Sequence, residues 1–284
     1  MTAVPAGWVR RYLRLLQVEH RPASLESLAR LTRAQLLTVP FENVTALLRA
    51  RAHAGASPPP LDPEALLEGW EEGRGGGVCF ELAPLFGRLL AALGYRVRPV
   101  LGAISFPGSH QALVVELGEV RLLVDVANGA PILEPVPLDR TVEIRRGGLG
   151  YRFRPGERDG EWMQERLIEG AWQPFCRYAL GGCEPEEQEA AYRRHHLPGE
   201  SWVTGSLRLI RCEEDRVLSL HDDELVHFTP AGKRAERVEG AARYRQLAAE
   251  LFRLPGLPIV EGLRARSELA GHPGFPVPPR PCDP

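Results

Sequence analysis

The chain has 284 residues but neither a surplus of positive charge nor a long hydrophobic run. Lysine and arginine number 35 and aspartate and glutamate 37, so the formal net charge is −2. Nucleic-acid-binding proteins need a basic surplus to displace counterions, so this balance argues against that class. No apolar run approaches the roughly 18 residues that a membrane span requires. We therefore expect neither nucleic acid nor a membrane as a partner, and the oligomeric state is left open.

Cysteine is also scarce. The five cysteines are Cys79, Cys176, Cys183, Cys212 and Cys282. An odd, sparse set in a chain of this length is typical of reduced thiols. Arg10, Arg11 and Arg14 interrupt the apolar N-terminus, which is untypical of a signal peptide. These observations predict a cytoplasmic protein.

Metal-ligand and phosphate-loop patterns are missing as well. His195 and His196 could be imagined as zinc ligands together with Cys183 and Cys212, but the chain has no CxxC or HxxxH spacing. The glycines of RGGGVCFE could suggest a phosphate loop, but GxxxxGK[ST] is absent. We expect no metal and no permanently bound cofactor.

The hydropathy pattern changes from helical to strand-like near residue 97. Before that point, Thr32 to Gln35 has capping-box spacing and predicts a helix start, and Asp62 followed by Pro63 predicts another. After it, the predicted strands are VRPVLGAI, HQALVVEL, EVRLLVDV, WMQERLI, AWQPFCRY, WVTGSLRLIRC and DELVHFTP. PEEQEAAYRRHH and GAARYRQLAAELFRL are predicted helices, and GHPGFPVPPRPCDP an extended tail. The pattern predicts an α+β chain with boundaries near residues 92 and 200.

The segment RGGGVCFE carries the first candidate for chemistry. Its glycines allow a tight turn immediately before Cys79, and an apolar helix-like run follows. A thiol at a helix start faces the positive end of the helix dipole, which favours the nucleophilic thiolate. Pro84 cannot complete a helical hydrogen bond to residue 80, so the helix either begins after Cys79 or kinks at the proline. The alternative for Cys79 is a buried core cysteine.

A catalytic thiol needs a base, and the predicted hairpin HQALVVEL–VRLLVDVA supplies one. If Gly118 and Glu119 form a two-residue turn, Ala112 faces Asp125, and His110 shares that face. The Cβ atoms of His110 and Asp125 would then be on the order of 7 Å apart, whereas a three-residue loop would reverse the parity. A carboxylate among apolar residues needs a hydrogen-bond donor, which His110 provides.

These residues predict a Cys–His–Asp triad. Cys79 is the predicted nucleophile, His110 takes its proton, and Asp125 fixes the tautomer of the ring and supports the imidazolium. Backbone N–H groups that follow the glycine turn could stabilise an oxyanion.

Four segments, in order, resemble the arylamine N-acetyltransferases, a family of Cys–His–Asp acyltransferases. They are VPFENVTAL, RGGGVCFE, HQALVV and LLVDVANG, which are similar to the family's VPFENL, RGGxCxE, HxxLxV and VDVGFG motifs. The resemblance marks Cys79 as the acyl-carrying thiol and His110 and Asp125 as its partners. It implies a helical bundle over residues 1–92, a β-barrel over 93–200 and an α/β lid with an extended Pro-rich tail over 201–284.

The resemblance also implies a ping-pong reaction of xenobiotic metabolism. The thiolate attacks acetyl-CoA, a co-substrate, and an arylamine, hydrazine or N-hydroxyarylamine then takes the acetyl group. Coenzyme A would occupy the cleft between barrel and lid, but no motif identifies the residues that contact it.

The chain departs from the family pattern near the nucleophile and the acceptor pocket. Gly75 stands where the family has arginine, with Arg74 one place earlier. Ala83 replaces an asparagine, and Asn128 replaces an aromatic residue. These changes bear on substrate choice and on activity. Two alternatives follow, namely an amide synthase of the same fold that uses another acyl thioester, and a catalytically idle ligand-binding relative.

Overall fold

The computed structural model describes residues 7–53, 58–197 and 200–270, and the tail predicted for residues 271–284, with Cys282, lies outside them. Within these ranges the helices are α1 (Gly7–Leu15), α2 (Leu25–Thr38), α3 (Val44–Ala52), α4 (Pro63–Glu71), α5 (Cys79–Ala92), α6 (Pro185–His196), α7 (Ala241–Glu250) and α8 (Ile259–Ala270). The strands are β1 (Phe41–Glu42), β2 (Arg96–Ala103), β3 (Pro107–Leu117), β4 (Val120–Val124), β5 (Val136–Pro137), β6 (Val142–Arg146), β7 (Leu149–Pro155), β8 (Glu161–Ile168), β9 (Ala171–Ala179), β10 (Arg208–Cys212), β11 (Val217–His221), β12 (Glu224–Thr229) and β13 (Gly232–Arg237).

Helices α2 and α4 begin where a side chain caps the first turn. Asp62 accepts a backbone N–H at 3.0 Å, and Pro63 is the first residue of α4, as predicted. The helix start predicted at Thr32 is wrong. Ser24 has an extended backbone, and its side chain accepts the N–H of Ser27 at 3.1 Å. Helix α2 is therefore capped eight residues before Thr32. Thr32 is buried inside that helix, because capping-box spacing also occurs by chance in helix interiors.

Strands β2 to β9 form an eight-stranded, antiparallel, barrel-like sheet. Its order is β5-β4-β3-β2-β9-β8-β7-β6. The pairing of Gly102 with Tyr178 joins β2 to β9 and places two hairpins side by side that are far apart in the sequence. Buried Val100, Val114 and Phe153 contribute to the apolar core of this sheet. The α+β class predicted from the sequence is confirmed.

A second sheet has the order β1-β10-β11-β12-β13. Its first strand comes from the N-terminal part of the chain, since Phe41 pairs with Ile210. Buried Leu209 and Leu220 belong to one apolar cluster with Leu47 of α3 and with residues of α7 and α8. The sheet therefore ties residues near 41 to residues near 210, and the division at residues 92 and 200 stays a prediction.

Several elements after residue 200 differ from the sequence prediction. Of the predicted strand WVTGSLRLIRC, only Arg208–Cys212 is extended, and residues 202–206 form turns. Helix α8 was not predicted. Strand β11 was not predicted either, because it is short and buried along its whole length and so lacks alternation of apolar and polar residues. No helix within the described ranges combines the length and the apolarity needed to cross a membrane.

Candidate active site

Cys79 is the first residue of α5 and is 4% exposed. The helix begins at this residue and continues through Pro84, which answers the question left open by the sequence. The turn before it packs tightly against β1. A Cβ added to Gly76 would lie 1.9 Å from the carbonyl oxygen of Pro40, so only glycine fits there. The sulfur is therefore held at a helix start by a backbone that tolerates no side chain.

Two buried carboxylates support the glycine turn. Glu42 Oε1 accepts the N–H of Gly76 at 3.2 Å, and Glu81 Oε2 accepts the N–H of Val78 at 2.8 Å. Arg49 Nη2 lies 2.6 Å from Oε1 of Glu81. Burial raises the pKa of Glu42 to about 7, and the charge of Glu81 adds to the rise, whereas hydrogen bonds to Glu42 oppose it. Sequence reasoning gave these acids no role, although Glu42 stands in the segment VPFENVTAL and Glu81 in the segment RGGGVCFE.

The hairpin places His110 against Asp125. Strands β3 and β4 pair in the predicted register, with Leu117 opposite Val120 and a two-residue turn between them. The regular ladder ends at Leu113 and Val124, so Asp125 follows the last paired residue. His110 Nε2 lies 2.7 Å from Asp125 Oδ2, and both side chains are buried. The predicted contact between imidazole and carboxylate is present.

The charges of this cluster favour an imidazolium. Burial alone lowers the pKa of His110, but the charge and hydrogen bond of Asp125 outweigh burial, and a hydrogen bond and charge from Cys79 act in the same direction. The result is a pKa of about 10 for His110. Burial opposes ionisation of Asp125, but the charge of His110 and hydrogen bonds hold its pKa below the ordinary value. Because Nε2 faces the carboxylate, Nδ1 is the ring nitrogen left for the sulfur.

Asp125 has further polar partners that sequence reasoning missed. The hydroxyl oxygen of Tyr178 lies 2.7 Å from Asp125 Oδ2 and 2.7 Å from Gln164 Oε1. Asn128 Nδ2 donates to the same two acceptors at 3.0 and 2.9 Å, and the N–H of Ala127 donates to Asp125 Oδ1 at 3.0 Å. Asn128, noted in the sequence as a departure, is therefore part of the carboxylate's support. The sequence signal for the role of Gln164 and Tyr178 was that each is a polar side chain at an inward-facing position, Gln164 on β8 and Tyr178 on β9.

A narrow cavity opens beside Cys79 and His110. Its apolar lining is Phe41, Val78, Ile104, Ala127, Phe175, Trp202, Val203 and Ile210. Its other polar lining residues are Asn128, Arg166 and Arg208. Among the described residues that line it, none is an aspartate or a glutamate. The site thus combines a thiol and an imidazole with an apolar, aromatic wall that carries positive charge.

The four residues considered as zinc ligands each have a separate polar partner. His195 Nδ1 lies 2.8 Å from Ser201 Oγ, and His196 Nδ1 lies 2.9 Å from the carbonyl oxygen of Tyr192. Cys183 and Cys212 donate to separate carbonyl oxygens, at 3.6 and 3.8 Å. No group of three or more His, Cys, Asp or Glu suited to a metal ion occurs in the part of the chain that the structure describes.

The two departures nearest the nucleophile have clear positions. A Cβ on Gly75 would lie 2.9 Å from Thr45 Cγ2, so the backbone passes close to α3 there. Arg74 is half-exposed and pairs with Glu72 instead of entering the site. Ala83 is buried in α5. The glycine turn therefore brings no arginine into the site.

Comparisons with known proteins place these features in context. The model of a family described as N-acetyltransferase matches residues 24–255. The arylamine N-acetyltransferase / N-hydroxyarylamine O-acetyltransferase of Salmonella typhimurium is 30% identical over 63% of this chain, and the match spans 60% of that relative's length. The arylamine N-acetyltransferase of Mycobacterium bovis is 25% identical over 90% of this chain and 93% of its own length. The solved Mycobacterium marinum arylamine N-acetyltransferase in complex with CoA has a TM-score of 0.78 at 21% identity, covering 92% of this chain and 98% of that chain.

Proposed function

The chain belongs to the N-acetyltransferase family, and on that premise we propose that it transfers an acetyl group from acetyl-CoA to an arylamine, hydrazine or N-hydroxyarylamine. The acetyl group passes through a thioester on Cys79. One observation carries the proposal, namely the buried contact of His110 with Asp125 at 2.7 Å beside the Cys79 thiol. Nucleophile, base and orienting carboxylate are the parts that acyl transfer requires.

In the first half-reaction Cys79 becomes acylated. His110 Nδ1 holds the proton that the Cys79 thiol gives up, and the sulfur attacks the carbonyl carbon of the thioester as a thiolate. The N–H groups of Cys79 and Phe80 have no acceptor within their helix, because they belong to its first turn, and they stabilise the oxyanion. The bond from carbon to the CoA sulfur breaks, and the imidazolium returns its proton to the leaving thiolate.

In the second half-reaction the acceptor amine attacks the thioester. A C–N bond forms, the bond from carbon to the Cys79 sulfur breaks, and His110 takes the proton that the amine loses. Asp125 keeps the ring in one tautomer and compensates the imidazolium charge in both halves. The aromatic side chains Phe41, Phe175 and Trp202 line the cavity and provide surface against which an aromatic acceptor can pack.

The identity of the donor and the acceptor is supported by the relatives. Two relatives, matched over 60% and 93% of their own lengths, are named arylamine N-acetyltransferases. A protein of this fold has been solved in complex with CoA. We therefore propose acetyl-CoA as a co-substrate and small aromatic amines as partners, in xenobiotic metabolism. The idle-relative alternative is not favoured because the three reactive side chains lie together, and the amide-synthase alternative is not favoured because a relative matched over 90% of this chain bears the transferase name.

Three parts of the chain contribute residues to the site. We propose a helical part over residues 1–92 that presents Cys79, a barrel part over 93–200 that presents His110 and Asp125, and a lid over 201–284. Trp202 and Arg208 of the third part line the cavity, which supports this division.

Four free cysteines among the described residues support the proposal of a cytoplasmic location.

The intact mass of the protein after mixing with acetyl-CoA tests the proposal. We expect one added acetyl group on the wild-type chain and none on Cys79→Ala. Cys183→Ala is the matched control, because its thiol donates to the Pro99 carbonyl away from the cavity, and it should acylate normally. No adduct with any short acyl-CoA would favour the idle relative instead.

A further inference from the structure

Arg49, on α3, forms an ion pair with a buried acid next to the nucleophile. Its Nη2 atom lies 2.6 Å from Oε1 of Glu81, whose side chain is fully buried, while the arginine side chain is 18% exposed. The other oxygen of Glu81 accepts the N–H of Val78, the residue before Cys79. One carboxylate therefore connects a guanidinium of α3 to the backbone that carries the reactive sulfur.

The carboxylate of Glu81 packs directly on the glycine turn. A Cβ added to Gly77 would lie 2.8 Å from Oε2 of Glu81, closer than real contacts allow. A second buried carboxylate, that of Glu42, accepts the N–H of Gly76 at 3.2 Å. Burial raises the pKa of Glu42 to about 7, and the charge of Glu81 raises it further. Two carboxylates that hold one buried turn need a positive charge beside them.

The glycine turn does not supply that charge itself. Gly75 has no side chain, and Arg74 is half-exposed and pairs with Glu72. Arg49 reaches the turn from a different helix and pairs with Glu81 instead. Either member of this pair would be costly to bury without the other, so the ion pair and the geometry of the turn depend on each other.

His196, the last residue of α6, contacts the other arm of the guanidinium. Its Nδ1 atom lies 2.9 Å from the carbonyl oxygen of Tyr192, so Nδ1 carries the hydrogen and Nε2 is the acceptor. Nη1 of Arg49 lies 3.1 Å from that Nε2 atom. Burial lowers the pKa of His196 and the charge of Arg49 adds to the fall, against the hydrogen bond to Tyr192. A neutral imidazole and a carboxylate, from two other helices, therefore hold the two ends of the guanidinium.

We propose that Arg49 is a positioning residue for Cys79 in acyl transfer. It compensates the charge of Glu81, so that Glu81 keeps its hydrogen bond to the Val78 N–H and the start of α5 keeps the sulfur in place. This inference rests on the proposed acyl transfer. Arg49 is not among the described residues that line the cavity, so its loss should slow the reaction of the sulfur without weakening the binding of acetyl-CoA.

Single-turnover acylation and alkylation of Cys79 test this role. Arg49→Met should lower the maximal acylation rate by about 100-fold, the cost of a misplaced reacting group, and leave the half-saturating concentration of acetyl-CoA within about twofold of wild type. Alkylation by iodoacetamide, followed on the peptide that contains Cys79, needs no acyl donor and should slow as well. Arg51→Met is the matched control on the same helix, because Arg51 pairs with exposed Glu268 at 3.8 Å, and it should leave both rates unchanged.

Removal of the unpaired carboxylate should rescue the loss. A glutamine in place of Glu81 still offers an oxygen to the Val78 N–H but carries no charge. The double variant Arg49→Met/Glu81→Gln should therefore acylate within about tenfold of wild type. Arg49→Lys should also recover part of the rate, since the positive charge remains. If Arg49 served packing alone, the double variant would be at least as slow as Arg49→Met, and that result overturns the proposal.

The remaining outcomes also decide the question. A folded Arg49→Met protein with wild-type rates overturns the proposal, and so does a raised half-saturating concentration at an unchanged maximal rate, which indicates contact with the substrate. If thermal unfolding shows that Arg49→Met has lost its fold, the double variant and Arg49→Lys decide. If acetyl-CoA does not acylate wild-type Cys79, the proposed acyl transfer fails, whereas the alkylation rates still decide whether Arg49 positions the sulfur.

Discussion

The contact of His110 with Asp125 makes a quantitative prediction for Asp125→Asn. The pKa of His110 rises from 6.5 to about 10 in the folded protein. At 1.36 kcal/mol for each tenfold change in acidity, this rise corresponds to about 5 kcal/mol in favour of the imidazolium. Burial acts against that form, so Asp125 is the main cause of the rise. An amide keeps the shape of the side chain but removes the charge and faces an NH2 group towards donors.

The expected consequence is a large loss of acylation. Without the carboxylate, the buried ring is neutral at pH 7 and free to take the wrong tautomer, so the single-turnover rate of Cys79 acetylation should fall by about a thousandfold or more. The rate is measured by quenched intact-mass analysis, with circular dichroism as the check on folding. A folded Asp125→Asn protein that acylates within tenfold of the wild-type rate would refute the assigned role of Asp125.

The same pair makes a prediction for stability against pH. The lowered pKa of Asp125 stabilises the fold above its unfolded value of 3.8, and that contribution is lost as the pH falls. The raised pKa of His110 stabilises the fold fully below 6.5, and that contribution is lost as the pH rises towards 10. The difference in the free energy of unfolding between wild type and Asp125→Asn should therefore be greatest between about pH 4 and 6.5. A difference that instead grows from pH 7 to pH 10 would contradict the pairing.

Further predictions concern the base and the groups around it. His110→Ala should abolish measurable acylation in the mass assay while the fold persists, and wild-type rates would show that another group is the base. Tyr178→Phe should slow acylation about tenfold and cost about 1 kcal/mol of stability in denaturant unfolding, because Asp125 loses a donor; an unchanged rate would assign Tyr178 to packing alone. Between pH 4.5 and 7, wild type should lose about 3 kcal/mol of stability relative to Glu42→Gln, since the raised pKa of Glu42 favours folding only while the carboxyl is protonated; parallel pH curves would contradict this. Gly76→Ala should lower the melting temperature and acylation together, because its Cβ would overlap Pro40, whereas Gly181→Ala, with open space around it, should resemble wild type in both.

The glycine turn illustrates how far local reasoning reached. RGGGVCFE predicted a turn followed by a helix, and α5 begins at Cys79. What the sequence could not show was why each glycine is needed. The answer for Gly76 is a contact with Pro40, a residue of a different local segment. The buried acids Glu42 and Glu81 were missed for the same reason, because their partners are backbone groups that only the packed turn presents.

The capping error at Thr32 has the opposite cause. The pattern of a hydroxyl followed three residues later by Gln is purely local, and the same spacing serves an interior turn of α2 equally well. The helix begins at Leu25 because Ser24 keeps an extended backbone and its side chain accepts the N–H of Ser27, whereas Thr32 is buried inside the helix.

The sequence by itself determined the pairing of His110 with Asp125. A two-residue turn between two alternating strands sets the register, and the register sets which side chains share a face, so short-range backbone geometry was sufficient. Only the tertiary structure decided what surrounds that pair. Tyr178 and Gln164 reach Asp125 through the pairing of β2 with β9, and Arg208 reaches the cavity through the pairing of β1 with β10. Those pairings join residues far apart in the chain, and their choice depends on which apolar faces pack together, a property that no local pattern contains.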